Sequence, residues 1–148
     1  MSLLRFILLL LLGLLCSPAQ AQSLLGTWQL GRKSAGGEGL NDCYVFKADK
    51  TFEYRVNNDN GLSRLVALGG TYRQYKGYVE LTPTYTREIA GGVIDRSHIS
   101  TGNDSWSIEQ GTLQKRPIAK PVVQNINLTF IGTTAFVVEE TNTFYKIK

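Results

Sequence analysis

The chain has 148 residues, with 16 Lys and Arg against 12 Asp and Glu for a net charge of +4. So mild an excess excludes the dense basic patch that nucleic-acid binding calls for. Only Lys115, Arg116 and Lys120 cluster, in a proline-bearing stretch that reads as a solvated loop. Two cysteines, one of them in the N-terminal leader, exclude an internal disulfide in the mature chain.

The leader reads as a secretory signal over residues 1–21. Arg5 is its positive end, Phe6 to Leu15 its apolar centre, and Ser17-Pro18-Ala19-Gln20-Ala21 its small-residue cleavage region. That centre is shorter than the roughly 20 residues needed to span hydrocarbon, and no later stretch is apolar enough to do so. The expectation is an exported domain over residues 22–148, periplasmic or extracellular, with no transmembrane segment once the signal is removed. Cys16 raises the alternative of a lipidated cysteine, but Leu15 stands where that processing wants a small residue. Losing Arg5 lowers the net charge to +3. Cys43, the cysteine that survives, reads as a small buried hydrophobe rather than a reactive thiol.

Helical periodicity is nearly absent, and period-two alternation with β-branched and aromatic residues recurs to the end, which predicts an all-β domain. Gly26-Thr27-Trp28-Gln29-Leu30 opens the series, with Leu24 and Leu25 ahead of it placed to plug a barrel end. The glycine-rich connection 34–39 leads to a strand at about Cys43 to Lys47. A hairpin follows, in which Phe52, Tyr54 and Val56 share one face and Thr51, Glu53 and Arg55 the other. Asn57-Asn58-Asp59-Asn60-Gly61 is a turn. In the next strand, Leu62 to Tyr75, the pair Gly69-Gly70 marks a bulge or bend.

Lys76-Gly77 turns the chain into Tyr78 to Thr82, and Pro83 is expected to end that strand. Residues 84–103 show only weak strand character around Val93 to Ile99, and alternation resumes at Ser105 to Ile108 before a turn at Gln110-Gly111. Two last strands are expected, about Val122 to Ile131 and Ala135 to Ile147, separated by Gly132-Thr133. About eight strands at hairpin spacing predict a single antiparallel up-and-down β-barrel. A two-sheet sandwich is the alternative, less favoured because sequential hairpins need no long crossing connections.

Leu25 to Leu30, the hairpin from Phe46 to Phe52, Gly70-Thr71-Tyr72 and the closing Thr143 to Lys148 resemble the calycin superfamily, and within it the exported lipocalin-like domains of bacteria. That resemblance implies that Trp28 seals the barrel bottom beneath a basic side chain of the last strand, for which Lys146 is the match. The family hairpin has glycine where this chain has Lys50, which implies a left-handed Lys50 or a different turn. The ends also resemble intracellular fatty-acid-binding proteins. Thr143 stands where their ligand-holding arginine would be, and the connection from Leu30 to Tyr44 is too short for their helical lid. Nitrobindin-like haem barrels share the Gly-Thr-Trp opening without the rest of their signature appearing here.

Chemistry-bearing constellations are sparse. His98, beside Asp95 and Ser97, is the single histidine, and adjacency in sequence does not make a triad. One histidine and one mature cysteine do not make a metal centre. The glycines at 36, 37 and 39 lack the lysine and helix of a phosphate cradle. Glu139 and Glu140, expected on opposite faces of a strand, do not pair for acid–base work. Asn103 and Asn127 fit the glycosylation pattern, which has meaning only in a eukaryotic host. The expectation is therefore neither an enzyme nor a cofactor protein.

The aromatics Trp28, Phe46, Phe52, Tyr54, Tyr72 and Trp106 are the candidate lining of the interior. They either contact a small, largely apolar ligand at the barrel mouth, helped by loops 34–41 and 84–103, or simply fill the core of a structural or protein-interaction domain.

Overall fold

Alternating apolar and polar residues favour extended chain with one dry face, and such faces are buried by curling the sheet onto itself. The computed structural model describes residues 22–31, 41–57, 61–98 and 104–147. Among these no helix forms, and the eleven strands are antiparallel to their partners: β1 (Gly26–Leu30), β2 (Cys43–Phe46), β3 (Thr51–Arg55), β4 (Leu65–Gln74), β5 (Tyr78–Ala90), β6 (Val93–His98), β7 (Asp104–Glu109), β8 (Thr112–Pro117), β9 (Gln124–Ile131), β10 (Ala135–Val138) and β11 (Asn142–Lys146). Eight of them close a barrel in the order β1-β2-β3-β4-β5-β9-β10-β11, with β11 pairing back onto β1. The fold is thus the expected eight-stranded up-and-down barrel.

The three remaining strands are an elaboration between β5 and β9. The start of β5, Tyr78 to Leu81, pairs with β9, while its far half, Tyr85 to Ala90, keeps β4 on one edge and takes β8 on the other. β6 and β7 form a separate two-stranded hairpin.

Turns 47–50, 75–77 and 132–134 share one end of the barrel with the N-terminal segment 22–25. That segment crosses the floor: Gln74 accepts from the Leu24 amide at 3.1 Å and donates to the Gln22 carbonyl. Leu24 is fully buried and plugs this end as anticipated, while Leu25 is exposed. Above it the core is Trp28, Phe46, Phe52, Tyr72, Val79, Leu81, Leu128, Phe136 and Phe144.

Special backbone positions follow the sequence closely. Lys50 adopts φ 63°, a left-handed conformation that favours glycine, and its amide donates to the Lys47 carbonyl to close the hairpin. The bulge expected at Gly69-Gly70 is present as a register shift between these residues. A Cβ on Gly69 would lie 2.2 Å from the Tyr85 ring, so only glycine lets that ring lie against the strand.

Several expectations are corrected. Pro83 does not end its strand. It sits opposite Gly70 at the bulge, where the ladder slips and the proline's missing N–H costs little, so β5 continues to Ala90. Lys115 and Arg116 lie in strand β8, not a loop. The last expected strand is two, and Glu139 and Glu140 form the turn between them with φ 49° and 63°. Residues 84–98 are mostly strand rather than mouth loop. Residues 1–21, 32–40, 58–60 and 99–103, on which the expected signal, the glycine-rich connection, part of the Asn57–Gly61 turn and the expected break at Gly102-Asn103 fall, lie outside the described residues, as does the side chain of His98, whose backbone pairs with Asp104 in the β6–β7 hairpin.

Candidate functional site

Inward-facing aromatics stack into a continuous core. Trp28 meets Phe136 at 4.9 Å between ring centroids, Phe136 stacks on Phe144 at 5.3 Å, Phe144 meets Tyr44 at 5.2 Å, and Phe46 meets Tyr72 edge-on at 4.9 Å. Such spacings are those of favourable aromatic pairs in direct contact. Four of the six candidate residues, Trp28, Phe46, Phe52 and Tyr72, are therefore at most 4% exposed and committed to one another. They fill the barrel rather than line open space. Trp28 also donates its indole N–H to the Leu24 carbonyl at 2.6 Å, and Lys146 Nζ lies over its ring. The sealing role implied for Trp28 and Lys146 is met.

Trp106 is the misplaced member of the set. It lies on β7, outside the barrel, 44% exposed and 5.7 Å from the Arg96 guanidinium. Alternation in β7 is real, but it serves a two-stranded hairpin and not the barrel wall.

The end opposite the Leu24 plug carries partly buried side chains among the described residues. Leu30, Tyr44, Tyr54 and Val138 are partly buried there against the core. Tyr44 and Tyr54 pack at 4.6 Å, and the Tyr54 hydroxyl donates to the Asp42 carboxylate. Asp42 also accepts from the Asn57 amide at 2.6 Å, tying the two connections at this rim together. Burial pushes the Tyr44 hydroxyl up to about 12, helped by the negative charges of Asp42 and Glu139. Burial also raises Tyr54, reinforced by its bond to Asp42. Both phenols therefore stay neutral donors at physiological pH. Of the six candidates, Tyr54 alone stands at this mouth.

Tyr44, Leu30 and Val138 were missed as mouth residues. Tyr44 was legible in principle, lying two residues before Phe46 and so on the same face. Asp42 carries no sequence signal, because its role depends on two distant connections meeting. On β11 Phe144 faces inward, which sends Thr143 and Tyr145 outward and removes the last feature of a fatty-acid carboxylate clamp.

The outer wall carries a second polar cluster. Glu53, 8% exposed, accepts from Arg55 Nε at 2.7 Å and lies 3.6 Å from Arg87, with the Tyr85 hydroxyl at 3.4 Å. Burial works to raise its carboxyl, but the two arginines and Lys47 outweigh that and hold it below the usual carboxylate value. Nearby, burial raises the Cys43 thiol, an effect that Arg55 only partly offsets, so the group stays a thiol rather than a thiolate. A groove of about 700 Å³ on the outside runs along Asn127, Thr129, Ile131 and Val137 to Glu139 and Glu140. Among the described residues no group of three or more His, Cys, Asp or Glu is placed to hold a metal ion.

No protein-family model, curated protein or solved structure matches the chain. The closed eight-stranded barrel is consistent with a calycin-like fold.

Proposed function

We propose that the chain is an exported lipocalin-like binding domain, not an enzyme, that holds a small, largely apolar molecule at its mouth. The observation that carries this reading is the rim of half-buried Leu30, Tyr44, Tyr54 and Val138 standing on a packed aromatic floor. A rigid apolar surface with two neutral hydroxyls and one fixed carboxylate binds small molecules at low ordering cost. The mutual packing of Trp28, Phe46, Phe52, Tyr72, Phe136 and Phe144 supports a site at the end carrying Tyr44 and Tyr54, and the deep cavity of a carrier that engulfs its ligand is not part of the proposal. The leader 1–21 supports export.

Native mass spectrometry of the purified protein, followed by denaturing extraction, tests the binding. A co-purifying small molecule, or an apolar fluorescent probe displaced on Tyr44→Ala, supports it. An empty protein that binds no such probe overturns it in favour of a second reading, a protein-interaction domain. The filled core favours that second reading, as do the exposed Val93, Ile94 and Trp106 of the β6–β7 hairpin. Recovery of the protein outside the cytoplasm with Gln22 as its first residue tests export.

A further inference from the structure

Strand β8 ends the nine-stranded sheet, paired with β5 on one side only among the described residues, and its six residues are exposed. The Ile118 amide donates to the Thr84 carbonyl at 2.9 Å just past the β8 register. Antiparallel ladders alternate, so Thr112, Gln114 and Arg116 turn their backbone groups toward β5. Leu113 and Lys115 therefore aim both N–H and C=O away from it, and Pro117, which has no N–H to lose, aims its C=O the same way. This edge is a ready template for one more strand.

The charges on it say what kind. Lys115 is the register partner of Arg87, a like-charge cross-strand pair that is unfavourable by itself. Arg87 finds Glu53 at 3.6 Å on its far side, while Lys115 has the face of Tyr85 at 3.9 Å. Next to it Arg116 lies 3.6 Å from Glu88. No carboxylate stands on β8 itself, whose sequence is TLQKRP. A second copy pairing through the same edge would bring the cations of both strands into one short ladder. A strand carrying carboxylates opposite Lys115 and Arg116 would instead complete the ladder and offset the Arg87–Lys115 repulsion.

We propose that the free edge of β8 docks an extended, acidic segment of a partner protein, which adds to the β4–β5–β8 sheet as an antiparallel strand. Opposite Leu113, 49% exposed, that segment presents an apolar side chain. The pattern is two acidic residues, a polar residue and an apolar one. This contact is separate from the mouth and does not depend on a ligand there.

The probe is the peptide acetyl-Thr-Thr-Glu-Glu-Thr-Val-Thr-Thr-amide, titrated against the protein by fluorescence anisotropy and by amide hydrogen exchange. Binding slows exchange at Leu113 and Lys115, while Gln114 and Arg116, already paired with β5, change little. N-methylating the alternate peptide amides that face β8 abolishes binding, and methylating the other alternate set leaves it within about twofold. Lys115→Glu weakens binding about tenfold. The proposal is overturned if a peptide with lysines for glutamates binds as well, if both N-methylated sets bind alike, if protection maps elsewhere, or if the protein self-associates through Leu113 and Lys115. The N-methyl arms use the unaltered protein, so they decide the matter even if Lys115→Glu fails to fold. Probe binding at the mouth is read on Tyr44 and Tyr54, so either proposal can fail without the other.

Discussion

Lys146 Nζ stands 5.2 Å above the centroid of the Trp28 ring, across the seam where the first and last barrel strands place these residues as register partners. The ring is fully buried and the lysine exposed, so the cation caps the aromatic core at the floor. Lys146→Met should cost about 0.5–1 kcal/mol in urea unfolding, the usual worth of such a contact at an exposed site. Trp28→Ala should cost about 3–5 kcal/mol by opening a cavity at the floor. Equal losses for the two would mean that the cation, not the packing, holds the seam.

Alkaline pH should weaken the fold through Tyr44. Its folded pKa, about 12, lies above the value of 10 it has when unfolded. The native state therefore holds the proton more tightly. The associated stability is complete below pH 10 and is lost as pH rises toward 12. Tyr44→Phe should flatten the loss of stability over that interval, as followed by denaturant midpoints.

Acid acts through Glu53 with the opposite sign. Its folded pKa lies below the ordinary 4.5, so the stability it confers is present above that value and is lost as pH falls through the folded pKa. Glu53→Gln should reduce the acid-side slope and cost on the order of 1–3 kcal/mol at neutral pH by leaving Arg55 and Arg87 without their carboxylate. An unchanged slope would show that the cluster does not couple to folding.

Gly69→Ala should destabilise by about 1–3 kcal/mol, because the new methyl group meets the Tyr85 ring at 2.2 Å. Pairing it with Tyr85→Ala should make the combined cost smaller than the sum of the separate ones, which a double-mutant cycle measures.

The turn at Glu139 and Glu140 should be improvable. Both residues have positive φ, which costs non-glycine residues roughly 1 kcal/mol or more each. Glu139→Asn with Glu140→Gly, the residues such turns favour, should raise the thermal midpoint. It should also lower the Tyr44 pKa slightly by removing the Glu139 charge.

What the sequence made legible was whatever is local. Alternation in β1 to β3 and the turns at Lys76-Gly77 and Gln110-Gly111 were all visible, as was the Gly69-Gly70 bulge. Each of these is decided within a few residues. The misreadings are those in which a distant partner decides. Pro83 is tolerated because Gly70 lies opposite it, and β8 exists because the far half of β5 offers it an edge. Glu139 and Glu140 turn the chain because Asn142 must return beside Val138, a pairing that alternation alone does not fix. The site shows the same division. Trp28, Phe46, Phe52 and Tyr72 face inward as read, yet facing inward did not distinguish filling a core from lining a cavity. Trp106 was read from its alternation without knowing which sheet it belonged to.

The β1–β11 seam also sets when the barrel exists. The segment that plugs the floor finds its partners 50 and 110 positions later, at Gln74 and Gly132, and β1 waits for β11. A chain emerging with its N-terminus first therefore keeps its earliest strand unpaired on one side until nearly all of it is available. Closure requires β11, and a truncation within it should leave an open sheet with Trp28 uncovered rather than a slightly smaller barrel.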